Sequence, residues 1–86
     1  MRVHLGEETV VKAEHIVGVF DLDNTTVAKD SRAFLADAEK GGRVFYVSYE
    51  LPRSFVVCAE PDGTETVYVC QVSAQTIRKR LSEALR

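Results

Sequence analysis

The 86-residue sequence predicts an α+β domain: a mostly antiparallel sheet of about six strands with two helices, assembled with copies of itself. Three observations carry that expectation. Short apolar, β-branched runs alternate with turn residues, which is the pattern of strands joined by tight connections. Two longer segments repeat apolar residues at helical spacing. Several strand segments are apolar at consecutive positions, whereas a sheet with one wet face alternates.

Residues 2–5 and Thr9-Val10-Val11 read as two short strands around the turn Gly6-Glu7-Glu8. Lys12-Ala13-Glu14-His15 is a polar break, and residues 16–22 form a third strand rich in β-branched side chains. Asp23-Asn24-Thr25-Thr26 has capping character, with Asp23 or Thr25 as the capping residue. The helix that follows keeps Val27, Phe34, Leu35 and Ala38 on one face, and Gly41-Gly42 ends it. Residues 43–49 and 54–60 are strands separated by the turn Glu50-Leu51-Pro52. Pro61-Asp62-Gly63-Thr64 is a strong turn signal, and residues 66–72 complete an antiparallel pair. Ser73 caps a last helix with Ala74, Ile77, Leu81, Ala84 and Leu85 on one stripe.

The size gives one domain, spanning residues 1–86. A chain this short buries only about 60% of its unfolded surface, so self-association is a natural remedy. Segments 16–20, 44–47, 55–59 and 67–70 are apolar on both sides. Two short helices cover about one face of such a sheet, and a second copy is then expected to cover the other; helices on opposite faces would remove that need. No targeting or membrane-spanning run is read in the sequence, so the expected compartment is the cytoplasm and no membrane partner is expected.

The net charge is −2, which does not announce a nucleic-acid partner. Residues 73–86 set Arg78, Lys79, Arg80 and Arg86 against Glu83, so the last helix is basic and the body acidic. Such a bias usually marks a solvated helix face. Cys58 and Cys70 sit within apolar strands and read as reduced, half-buried thiols. Their spacing, with His4 and His15 far upstream, matches no zinc site, so no metal and no cofactor is expected.

Val17-Gly18-Val19-Phe20-Asp21-Leu22-Asp23-Asn24-Thr25 resembles the first motif of the haloacid-dehalogenase phosphatases. That resemblance implies Asp21 as nucleophile, Asp23 as general acid/base and magnesium between them. It spans about nine residues, and the rest of that machinery has no counterpart downstream. Asp21 and Asp23 therefore read as a strand end, and no catalytic residue is assigned. His15 has no Ser or Cys partner in a nucleophile-elbow setting.

Four segments occur in order along the chain: Val3-His4-Leu5-Gly6 with Thr9-Val10-Val11, the stretch Ile16-Val17-Gly18-Val19-Phe20-Asp21, Leu51-Pro52-Arg53-Ser54-Phe55-Val56-Val57, and Ser73 with Thr76 to Arg80. Through them the chain resembles, over residues 2–81, the Rem family of bacterial extracellular-matrix (biofilm) regulators, most closely its RemB branch. The resemblance implies a transcriptional regulator that forms a homo-oligomer, a ring being one form, and associates with DNA weakly or cooperatively. Repetition of a few positive charges around an assembly gains avidity. The implied DNA-contacting residues are Arg53, Lys12 and Arg43, with His15 standing where the ring-forming branch has an arginine. Leu51-Pro52 occupies the place of that branch's Arg-Arg pair. A protein–protein scaffold without direct DNA contact is the alternative. No small-molecule ligand is inferred from the sequence.

Overall fold

In a computed structural model the backbone is described for residues 1–86 and the side chains for all but residues 25–28. The described residues form β1 (Arg2–Gly6), β2 (Thr9–Lys12), a 3-10 turn (Ala13–His15), β3 (Ile16–Asp21), α1 (Thr25–Lys40), β4 (Val44–Tyr46), β5 (Ser54–Ala59), β6 (Glu65–Cys70) and α2 (Ala74–Ala84). No helix among the described residues is long and apolar enough to cross a membrane. The α+β class and the order of elements agree with the sequence reading.

The strands do not make one sheet. β1 and β2 form an antiparallel hairpin of their own, and the other four are ordered β3-β5-β6-β4. The 3-10 turn sends the chain away from the hairpin direction, so the hairpin lies over the large sheet instead of extending it. At the hairpin tip Gly6 (φ 131°) and Glu7 (φ 48°) both take positive φ, which supplies the tight reversal.

The turn Glu50-Leu51-Pro52 does not join β4 and β5 as an antiparallel pair. β5 pairs antiparallel with β3 and β6, while β4 runs parallel to β6, with Val44 opposite Val67 and Tyr46 opposite Val69. α1 intervenes between β3 and β4, so β4 enters from a crossover and not from a hairpin. The loop through Leu51-Pro52 then carries the chain across the end of β6 to reach β5. β4 is shorter than expected, although the Val47 amide still bonds the Val69 carbonyl at 2.9 Å.

β5 is buried on both sides because it is central. Pleating divides its residues: Phe55 and Val57 point one way, Val56 and Cys58 the other. Phe55 and Val57 join Leu22, Leu35, Ala38, Val67 and Val69 under α1. Val56 and Cys58 join Val3, Leu5, Val11, Ala13, Val47, Cys70 and Ile77 under the hairpin and α2. The helices therefore lie on opposite faces, and the hairpin fills what α2 leaves. The uncovered sheet face expected from the sequence is not there; apolar runs on both sides are explained within one chain.

Local sequence explains the helix ends. Ser73 accepts the Thr76 amide, as a capping serine should. At the end of α1 the Arg43 amide reaches Ala38 and the Gly42 amide reaches Glu39, with Gly42 at φ 70°. This is a Schellman closure that glycine makes without steric cost. The expected cap at Asp23 or Thr25 and the inward Val27 involve residues 25–28 and lie outside the described side chains. Phe34 lies on the expected face, stacked on Phe20 and Phe55, although it stays partly exposed. One helix position is corrected: Leu85 lies past the end of α2 in solvent.

Candidate nucleic-acid and anion interface

The four cations implied by the family resemblance do not share one rim. Arg53 precedes Ser54, which pairs with Asp21, so Arg53 stands at the end of the sheet where β3 finishes. Lys12 and His15 stand at the other end of β3, where Ile16 opposes Cys58. Five residue steps along β3 separate these ends, about 17 Å at the usual rise. Arg43 immediately precedes β4 at the far edge of the sheet, where its side chain reaches Glu65 at the start of β6.

Charge pairing separates the four again. Arg53 Nε donates to Asp23 Oδ2 at 3.0 Å, and Arg43 forms an ion pair with Glu65. Lys12 and His15 have no hydrogen-bond or ion-pair partner among the described residues. Their charges act on Glu14, whose carboxyl is held below its usual range first by a backbone hydrogen bond and next by the Met1 ammonium. That ammonium is 3.7 Å from Glu14 Oε1.

The basic character of α2 also resolves into structure. Arg78 donates to the Val19 carbonyl at 3.0 Å and Arg80 to the His4 carbonyl at 2.9 Å. These two arginines tie α2 to β3 and β1.

Sequence reasoning did not single out Arg2. In the hairpin register it pairs with Lys12, and both line a cleft of about 360 Å³ between hairpin and sheet. His15, Val10, Val11, Cys58, Glu60, Thr66 and Tyr68 complete the lining. The signal was present in the hairpin itself: Arg2 and Lys12 face each other once Gly6-Glu7-Glu8 is taken as the turn.

The Asp21-x-Asp23 motif is a turn. The Asp21 carboxylate accepts the amides of Asp23 (2.7 Å) and Asn24 (3.3 Å), and Asp23 is held by Arg53. Both cysteines are free and buried. Cys58 is opposite Thr66 and Cys70 opposite Ser54, four ladder steps apart at roughly 13 Å, beyond disulfide reach. Burial pushes the Cys58 thiol up to about 11 and the Cys70 thiol up to about 12, so both are protonated at neutral pH.

Apolar side chains remain exposed at both edges of the large sheet. On β3 the extra residue of a bulge, Val17, is 68% exposed, and Phe20 is partly exposed. On and after β4, Phe45 is 50% exposed, with Tyr46, Tyr49 and Leu51 beside it in sequence. The sequence matches no protein-family model and no curated protein.

Proposed function

We propose that this chain is a cytoplasmic, homo-oligomeric regulator of transcription that associates with DNA, its targets being extracellular-matrix genes as the Rem resemblance implies. It has no catalytic role in this reading. The observation that carries the assembly is the pair of apolar edges. β3 and β4 are opposite ends of one sheet, and each leaves large apolar side chains in solvent. Different patches on opposite sides favour head-to-tail contact, which closes into a ring when the rotation permits. The Val17 bulge and the Arg78 hydrogen bond to Val19 interrupt the β3 edge, so contact runs through side chains and not through added strand pairing.

Lys12 and His15 are the members of the implied DNA set with free charge or donors. Repeated around an oligomer, they supply phosphate contacts that no single copy concentrates. The scaffold reading is favoured by one observation, the commitment of Arg53 and Arg43 to ion pairs.

Two experiments test these statements. Light scattering after size exclusion should show an oligomer for the wild type and monomers for Val17→Glu and Phe45→Glu. An equal mixture of the two variants should give a dimer, since each retains the edge the other lacks; a wild-type monomer at tens of micromolar ends the assembly proposal. Fluorescence anisotropy on duplex DNA should show salt-dependent binding. Lys12→Ala should flatten the log–log salt slope by about 0.9 for each phosphate it ceases to neutralise. Absence of binding at low salt leaves the scaffold reading.

A further inference from the structure

We propose that the cleft between the β1–β2 hairpin and the sheet binds a small phosphate-bearing molecule, held by Arg2, Lys12 and His15 with its organic body against Tyr68. The site shares Lys12 and His15 with the DNA reading but does not depend on it.

Most arginines of the chain are already engaged. Arg32 reaches the Leu22 carbonyl, Arg43 pairs with Glu65, Arg53 with Asp23, Arg78 with Val19 and Arg80 with His4. Arg2, Lys12 and His15 have no such partner among the described residues, and all three line one concavity. A guanidinium fork, an ammonium and an imidazole N–H around one space are a donor set for a phosphate group. Glu60 is the acid of the lining, and Glu14 feels the charges of Lys12 and His15 from beside the Met1 ammonium.

Shape selects the ligand. At about 360 Å³ the cleft falls in the range of small-molecule sites, roughly 300–1,000 Å³. Cys58 and Val11, both buried, together with the half-buried Tyr68, give it an apolar wall beyond the cationic rim. A duplex is convex and reaches only the rim of such a concavity. A single nucleotide or another phosphorylated aromatic molecule enters it.

The test is amide chemical-shift titration of the full chain with adenosine monophosphate, inorganic phosphate, adenosine and, separately, duplex DNA. Adenosine monophosphate should give saturable shifts confined to residues 2–3, 10–15, 58–60 and 66–68. Inorganic phosphate should bind more weakly, and adenosine not at all below roughly 1 mM. The double variant Lys12→Ala/His15→Ala should weaken adenosine monophosphate at least tenfold. Glu60→Gln, which removes the opposing charge, should strengthen it; this variant guards against loss through misfolding. The proposal is overturned if no saturable shift occurs with either phosphate compound, or if Glu60→Gln leaves affinity unchanged. Binding of duplex without nucleotide overturns the cleft and leaves the DNA reading standing. Binding of nucleotide without duplex does the reverse.

Discussion

One face of the β5–β6 pair lies under α1 alone, and the other lies under two pieces, the hairpin and α2. The first face is closed. Leu35 and Ala38 cover Phe55, Val57, Val67 and Val69, and three phenylalanines stack beside them, Phe20 on Phe55 at 4.8 Å and Phe34 on Phe55 at 5.7 Å between centroids. The second face has a gap where the hairpin's open end stands over Cys58, Thr66 and Tyr68. A continuous helix seals a sheet, whereas separate elements leave a seam, and here the seam is lined by Arg2, Lys12 and His15, which have no partner among the described residues. The edges differ in the same spirit: both expose apolar side chains, but only the β3 edge is blunted by a bulge and an arginine.

Truncation should hurt the closed face most. Phe55→Ala should cost about 4 kcal/mol, because a fully buried ring at the centre of the aromatic stack cannot be replaced by local collapse. On the seamed face Ile77→Ala should cost about 3 kcal/mol, again read from the denaturant midpoint. Equal losses at the two sites would mean that the second face is as tightly packed as the first.

Gly42→Ala should cost about 1 kcal/mol. No atom lies within 4 Å of the added methyl, so the penalty is the left-handed backbone alone. Ser73→Ala should cost about 1 kcal/mol through loss of the amide bond to Thr76. The mildest effect is set by pH. The folded-state thiol values of Cys58 and Cys70 are raised, to about 11 and about 12, above the ordinary value of 9.0. Their contribution is complete below pH 9 and drains as pH rises through those folded values. Thermal midpoints should therefore stay level in this respect up to pH 9 and fall above it, with a smaller fall in Cys58→Ala; an unchanged fall would assign the loss to other groups.

Much of the chain was legible locally. The turn residues Gly6-Glu7-Glu8 and Asp62-Gly63 marked the two hairpins, and Ser73 and Gly42 marked helix ends, because each acts within a few residues of backbone. Asp21 was readable as a strand end for the same reason: its carboxylate accepts the amides of Asp23 and Asn24, two and three residues on. Doubly apolar strands were also visible, and so was their need for cover.

What covers them was not legible. Whether a second element or a second copy shields a face depends on which side of the sheet each helix crosses, and that follows from the parallel placement of β4 after α1. Arg53 and Lys12 looked alike in the sequence; the ladder register sent them to opposite ends and gave Arg53 an aspartate partner. The order of residues was enough to set the elements, because propensity, capping and turn chemistry are short-ranged. The two-sheet split, the sealed and seamed faces and the meeting of Arg2, Lys12 and His15 emerged only on folding, because they depend on contacts between residues far apart in the chain.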